Sequence, residues 1–256
     1  MVVVTIILAL CLVISLAYIY KEKHSTNVVG ESEVDTRIAK QEKLARFFLK
    51  SHITLGLKEY KDYSQVLEQK FREDREGRRA DFDEECKQYS EVERAEIEEF
   101  YAKDFMEVSD MKLSLYRSST LVSLYTFLES SLHKMCLYTQ RKNGFAVEVS
   151  ELRGEGIVRA KTYLEIHGII NSDSLNGVWS NLSSFNKVRN CLVHCNGYVD
   201  SYKNKKQIIS IVNGSTYLSW DDKGKLVIDK AYLEFITGEV EKYLLEVHRQ
   251  IFKKNA

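Results

Sequence analysis

The densest run of hydrophobic residues lies at the N-terminus. Residues 2–20 read VVVTIILALCLVISLAYIY, and Thr5 and Ser15 are the only clearly polar members. About 20 consecutive apolar residues span the hydrocarbon core of a bilayer. No basic segment precedes this run and no small-x-small cleavage site follows it, as a secretory signal peptide would require. The pattern therefore predicts an uncleaved transmembrane anchor over residues 1–20.

The chain becomes polar after this run and stays so for about 80 residues. Residues 21–35 contain Gly30 and lack periodicity, which indicates a short linker. From residue 36 to about residue 104 the spacing is helical, and charges of both signs predominate. This pattern is typical of a solvated helical stalk or a coiled-coil segment.

Residues 105–256 are richer in aliphatic and aromatic residues, so we expect the main cored domain there. Apolar residues recur at three- and four-residue spacing, as in a helix with one buried face. These residues are Leu121, Leu124, Tyr125, Leu128, Leu132 and Met135. Asn143 and Gly144 predict the end of that helix, because both residue types tolerate the left-handed conformation of a C-cap.

Further helices are predicted over 156–167, 174–195 and 230–252. The second of these carries an apolar stripe before the Asn196-Gly197 stop signal, formed by Trp179, Leu182, Phe185 and Leu192. Within 207–229, the segments IISIV, TYLSW and LVI are separated by Asn-Gly and Asp-Asp-Lys-Gly-Lys, which predicts a small β-hairpin or three short strands. The predicted fold class is all-α: a helical bundle with a small β-hairpin insertion, preceded by the anchor and the charged stalk.

Composition supports this assignment. The chain has no proline, whereas average usage is about 5%, and a proline-free chain favours long uninterrupted helices. Positive charges follow the apolar run and none precedes it, so the positive-inside rule places residues 21–256 in the cytoplasm. These charges are Lys21, Lys23, Arg37 and Lys40. The formal net charge is zero, which gives no sign of a polyanionic partner but leaves local basic patches open.

The candidate chemistry lies in residues 185–197, FNKVRNCLVHCNG. Arg189, Asn190 and His194 are polar groups near the end of an otherwise apolar helix. Asn190 and His194 share a helix face, whereas Arg189 and His194 are five residues apart, about 140° around the axis. Both groups can meet one ligand only at a distorted helix end or when a second copy of the chain contributes one of them. The structural alternative is a histidine that interacts with the helix dipole and an arginine paired with a carboxylate.

The arrangement Arg189-Asn190-x-x-x-His194 resembles the R-x4-6-H signature of the HEPN superfamily of ribonucleases. Residues 118–138 and 153–169 look like the earlier helices of the MAE-type branch of that superfamily. The resemblance covers about residues 106–256 and leaves the anchor and the stalk unmatched.

This resemblance implies metal-independent cleavage of RNA at a homodimer interface, without a cofactor. His194 would act as general acid or base, and Arg189 would hold the scissile phosphate and stabilise its developing charge. Asn190 would orient His194 or the phosphate. The chemistry is coherent by itself, because histidine titrates near neutral pH and a guanidinium binds phosphate oxygens in a bidentate manner. The expected products are a 2′,3′-cyclic phosphate and a 5′-hydroxyl.

Other polar residues are weaker candidates. Glu129 lies at the edge of the buried stripe and is a candidate fourth catalytic residue, although an ordinary solvated glutamate explains it as well. A basic rim for RNA is predicted from Arg141, Lys142, Arg153, Arg159 and Lys161. Ordinary helix-surface charges explain these residues equally well.

The cysteines predict no metal site and no disulfide framework. Five cysteines are an odd number, and a reducing cytoplasm keeps them as thiols. Cys191 and Cys195 lie one helical turn apart near His194, but no second Cys/His pair completes four zinc ligands. Buried thiols are the better interpretation.

The functional hypothesis is a membrane-tethered endoribonuclease that acts as a homodimer on RNA, in the role of a toxin or an antiviral defence effector. An antitoxin or another regulatory partner is part of that hypothesis, by analogy with the family. The alternatives are a non-catalytic membrane-anchored scaffold, in which Arg189 and His194 only stabilise a dimer, and a helical sensor coupled to another effector.

Overall fold

The computed structural model describes residues 31–253 and is mostly helical. The all-α class with a small two-stranded sheet is therefore confirmed. The predicted anchor over 1–20 and most of the predicted linker lie outside the described residues. Between residues 31 and 253, no helix has both the length and the apolar character needed to cross a bilayer.

Two very long helices make up the first half of the described chain. Helix α1 is Glu31–Glu85 and helix α2 is Glu91–Asn143, with a short 3-10 turn at Cys86–Gln88 between them. At the start of α2 the Ser90 hydroxyl accepts from the Glu93 amide, and the Glu93 carboxylate accepts from the Ser90 amide, which is a capping box. Because α2 runs through residue 105, no element ends where the stalk was predicted to meet the cored domain, and that division stays a prediction.

The second half contains shorter elements. They are α3 (Gly156–Ile166), α4 (Asn176–Cys195), α5 (Lys205–Asn213), α6 (Lys230–Ile251), β1 (Leu218–Trp220) and β2 (Leu226–Ile228), with 3-10 turns at Val149–Glu151, Asp173–Leu175 and Val199–Ser201. The helices predicted over 156–167, 174–195 and 230–252 are confirmed to within two residues. The predicted stop at Asn143-Gly144 is also confirmed, since α2 ends at Asn143 and Gly144 has φ +69°.

The predicted strand IISIV is wrong, because these residues form most of α5. Ile208 and Val212 are buried four residues apart on one helix face, and the amide of Gly214 donates to the carbonyl of Ser210. A short run of β-branched residues is compatible with a strand or with a helix. Here the helix is favoured because it buries Ile208 and Val212 together. The hairpin is therefore limited to β1 and β2, which pair antiparallel with Leu218 opposite Ile228.

The chain divides into two compact units. Within the described residues, the first unit consists of 31–58, 128–177 and 241–253. Its core contains Leu49, Ile53, Leu57, Leu132, Met135, Tyr163, Leu164, Leu244 and Val247. Leu49, Ile53 and Leu57 fall inside the predicted stalk, yet none is more than 3% exposed.

The second unit consists of 59–127 and 178–240 and holds the Arg189 region. Its core contains Leu121, Leu124, Tyr125, Leu182, Phe185, Val188, Ile208, Leu226, Leu233 and Ile236. The antiparallel hairpin covers part of this core with Leu218, Leu226 and Ile228, while Val227 between them is exposed. This alternation is what the period of a strand requires.

Candidate anion site on helix α4

Helix α4 is fixed in the second unit by a buried apolar face. Leu182 and Phe185 of the predicted stripe have no exposed surface, and neither has Val188, which the stripe did not include. The amide of Asn181 also donates to the carboxylate of Glu239 at 2.8 Å, and Glu239 is only 5% exposed. These contacts set the rotation of the helix and therefore decide which polar side chains face away from the core.

The C-terminal end of α4 is held by the turn that follows it. Asn196 and Gly197 have φ +50° and +84°, so the predicted stop signal is confirmed. The carbonyl of Gly197 accepts from the amide of Leu226 at 3.0 Å, which ties this end to the hairpin. A Cβ atom on residue 197 would also lie within 3.5–3.7 Å of Leu192, Lys225 and Leu226.

Arg189 is half-buried and lies on an aromatic ring. The centre of its guanidinium is 4.6 Å from the centroid of the Tyr125 ring, and Tyr125 in turn meets Phe185 edge to face. Nη1 of Arg189 donates to Oδ1 of Asn190 at 2.8 Å, and Nδ2 of Asn190 donates to Asn186 at 3.2 Å. A cation–π contact and one amide therefore position the guanidinium.

The positive charge of Arg189 has no carboxylate partner among the described side chains. Only one of the five N–H groups of the guanidinium is used within residues 31–253, and Nε is buried without a hydrogen-bond partner there. A buried unpaired donor costs free energy unless a ligand or water meets it. This arginine is thus positioned by its neighbours and still has donors to offer an anion.

His194 lies in the last turn of α4 and is exposed. The helix is regular up to Cys195, so His194 is about 7.5 Å along the axis and 140° around it from Arg189. Asn190 is one turn before His194 on the same face. The described chain therefore joins Arg189 to Asn190 but does not aim Arg189 and His194 at the same point.

The other predicted site residues belong to the first unit. Glu129 is half-buried and has no ion pair with any described residue. Arg159 donates from Nε to the carbonyl of Gly154 at 2.7 Å, and Lys161 pairs with Glu165. Lys142, from the same predicted rim, pairs with Glu42 at 2.6 Å. Arg153 is exposed, and the RNA-binding rim stays a prediction.

Burial keeps the Cys191 thiol near this site protonated. Cys191 is fully buried, and burial raises its pKa to about 11, which disfavours the thiolate that zinc would bind. Cys195 donates from Sγ to the carbonyl of Ser201 at 3.1 Å. Within the part of the chain that the structure describes, no three His, Cys, Asp or Glu side chains are grouped to hold a metal ion.

No protein-family model, curated protein or solved structure matches the chain significantly. The HEPN resemblance therefore stays a prediction that depends on the residues of this chain alone.

Sequence reasoning missed the role of Tyr125, which the pattern assigned only to the core. Tyr125 and Arg189 are 64 positions apart, and no local signal connects them. Asn186 was missed for a different reason, because it became relevant only when Asn190 was seen to donate to it.

Proposed function

We propose that the chain is a metal-independent endoribonuclease whose site is built from Arg189, Asn190 and His194. The observation that carries this proposal is the state of Arg189. It is half-buried, lies against Tyr125, has no described carboxylate partner and retains unused N–H donors. A phosphodiester is an anion with the geometry that such a guanidinium binds best.

In this proposal Arg189 binds the scissile phosphate and stabilises the charge that develops on it. His194 takes the proton of the ribose 2′-hydroxyl or protonates the leaving 5′-oxygen. Exposure suits this role, because an exposed imidazole reaches a substrate that comes from solvent. Asn190 fixes the guanidinium through the 2.8 Å hydrogen bond to its Oδ1. The reaction leaves a 2′,3′-cyclic phosphate and a 5′-hydroxyl.

The geometry of α4 supports a dimeric site. Since the helix stays regular to Cys195, one chain presents Arg189 and His194 about 140° apart. Two copies related by a two-fold axis bring Arg189 of each chain toward His194 of the other and so make two composite sites. The homodimer is thus part of the proposed mechanism.

The first test is expression of the intact chain beside Arg189→Ala and His194→Ala at matched protein levels. RNA 5′-hydroxyl ends are then sequenced. Wild type alone should create new ends and arrest growth. Lys206→Ala is the control, because it removes an exposed cation of the same unit outside helix α4. Equal RNA profiles for wild type and His194→Ala would refute the nuclease.

A mixing experiment tests the composite site. Chains carrying Arg189→Ala and chains carrying His194→Ala are purified, mixed, allowed to exchange subunits and assayed on RNA. After random exchange, half of the dimers contain one chain of each variant. If each site combines Arg189 of one chain with His194 of the other, one of the two sites in such a dimer is intact. About a quarter of wild-type activity then returns. If Arg189 and His194 of one chain act together, mixing restores nothing.

The alternative is a non-catalytic membrane-anchored interaction module, and one observation favours it. Helix α2 exposes large apolar side chains in the second unit, among them Phe100 at 72%, Leu115 at 70% and Met111 at 62%. Exposed apolar patches often mark protein–protein contacts. If Arg189→Ala abolishes dimerisation and wild type never cleaves RNA, this function replaces the nuclease.

Residues 1–20 are proposed to anchor the chain in the membrane with residues 21–256 in the cytoplasm. Extraction of membranes at alkaline pH tests this: the full chain should stay in the pellet, and a chain that begins at residue 31 should not. A toxin or antiviral defence role, with an antitoxin or another regulatory partner, belongs to the same proposal and rests on the family resemblance.

A further inference from the structure

A second cationic feature lies in the second unit, between the C-terminal half of α1 and the middle of α2. It is a cleft of about 210 Å³ lined by Glu68, Phe71, Arg72, Asp74, Arg75, Arg78, Lys112 and Leu113. We call its cations Arg72, Arg75, Arg78 and Lys112 the basic cleft. The three arginines recur every three residues, so they project from adjacent positions of one helix side.

The acidic residues of the cleft are already engaged. Both carboxylate oxygens of Glu68 accept from Arg117, at 2.7 and 2.9 Å. Asp74 pairs with Lys70, one turn earlier on α1, at 2.9 Å. Glu68 is therefore neutralised by a largely buried partner, whereas Asp74 is held only by an exposed lysine.

Two of the four cations have no ion pair with any side chain that the structure describes. They are Arg72 on α1 and Lys112 on α2, and both are exposed. Arg75 pairs with Asp110 at 2.7 Å, but Asp110 is 62% exposed, and such surface pairs stabilise a protein little. An incoming anion can displace Asp110 from Arg75 at low cost. Three cationic groups are then available to one ligand.

We propose that the basic cleft binds a short chain of linked phosphates. Its volume is smaller than the pockets of about 300–1,000 Å³ that enclose drug-sized molecules, so it suits a phosphate chain better than a whole nucleotide. Guanidinium groups bind phosphate oxygens bidentately, and a lysine adds a point charge. Several cations from two helices favour a ligand with several charges over a single phosphate. Inorganic triphosphate and the tail of a nucleoside triphosphate share this chemistry.

The inference goes beyond the proposed ribonuclease and is independent of it, because none of its residues belongs to the Arg189 site. The test uses the full chain in detergent. Binding of inorganic triphosphate, ATP, monophosphate and sulfate is measured by calorimetry at equal ionic strength. The variant is Arg72→Gln with Lys112→Gln. The matched control is Lys203→Gln with Lys206→Gln, which removes two exposed cations of the same unit outside the cleft.

Saturable binding of triphosphate, weakened about tenfold or more in the cleft variant and unchanged in the control, is the expected result. Similar affinities for triphosphate and ATP would show that the phosphate chain alone is recognised. Tighter binding of ATP would show that the phosphate chain belongs to a nucleoside triphosphate. Three results overturn the inference: equal loss in both double variants, equal binding of sulfate, or binding of an RNA oligonucleotide that triphosphate does not displace. Circular dichroism checks that both variants fold.

Discussion

Arg117 and Arg189 are both half-buried arginines on helices of the second unit, and they differ in what balances their charge. Arg117 binds both carboxylate oxygens of Glu68 and donates to the carbonyl of Ile228 at 2.9 Å. Its side chain is 14% exposed and that of Glu68 is 10% exposed. Arg189 contacts an aromatic ring and an amide instead, and its Nε has no partner among the described residues.

The difference indicates two uses of the same side chain. Arg117 links α1, α2 and β2 through donors on all three of its nitrogens, so it holds the fold together and has little left for a ligand. Arg189 is positioned by groups that do not neutralise it, because a ring face and an amide oxygen carry no net charge. A half-buried cation without a counter-ion is the state expected of a group that binds an external anion.

The largest effect should come from His194, which lies five residues after Arg189 on helix α4. His194→Ala is expected to lower RNA cleavage by about 10²–10⁴-fold, because it removes the proposed general acid or base. The free energy of unfolding should change little, since His194 is exposed. Single-turnover cleavage of a short RNA and urea denaturation measure the two quantities. A large loss of stability with unchanged cleavage would assign His194 a structural role.

Replacement of Arg117 should lower the free energy of unfolding clearly more than replacement of Arg189. Arg117→Ala leaves the largely buried carboxylate of Glu68 unpaired and is expected to lower the free energy of unfolding by about 3 kcal/mol. Arg189→Ala loses a cation–π contact and one hydrogen bond, for which we expect about 1 kcal/mol. Urea denaturation of both variants compares them. Equal losses of stability would show that Arg189 supports the fold as much as Arg117 does.

Giving Arg189 a carboxylate partner should make it resemble Arg117. Asn190→Asp places a negative charge at the atom that now accepts from Nη1, so we expect about tenfold slower cleavage with stability unchanged or higher. Ser180→Asp is the control, because it adds the same charge to α4 about 13.5 Å from Arg189 along the axis, beyond the screening length of about 8–10 Å. Equal rates for wild type and Asn190→Asp would argue against phosphate binding by Arg189.

The smallest effect should come from an exposed arginine that also has a carboxylate partner. Arg79 and Glu98 are 2.5 Å apart, but their side chains are 46% and 40% exposed. Arg79→Gln is therefore expected to change the free energy of unfolding far less than Arg117→Ala does. Thermal unfolding measured beside Arg117→Ala tests whether burial makes the difference. A loss of stability as large as that of Arg117→Ala would show that burial does not decide how much an ion pair stabilises this protein.

The candidate site was predictable only in part. The segment with Arg189, Asn190 and His194, its place on a helix and the Asn196-Gly197 stop all follow from short-range spacing. The contact of Arg189 with Tyr125 joins residues 64 positions apart, and no periodicity reports such a contact. The strand prediction for IISIV failed for a related reason, because a few apolar residues do not reveal which face will be buried.

The sequence by itself determined the helical class, most helix ends and the apolar faces, because these depend on residues three or four positions apart and on the absence of proline. Only the tertiary structure decided which charges are neutralised. Glu68 reached Arg117 from 49 positions away, and no carboxylate of the described residues reached Arg189. Charge pairing depends on distance in space and on burial, and neither quantity is encoded in local spacing.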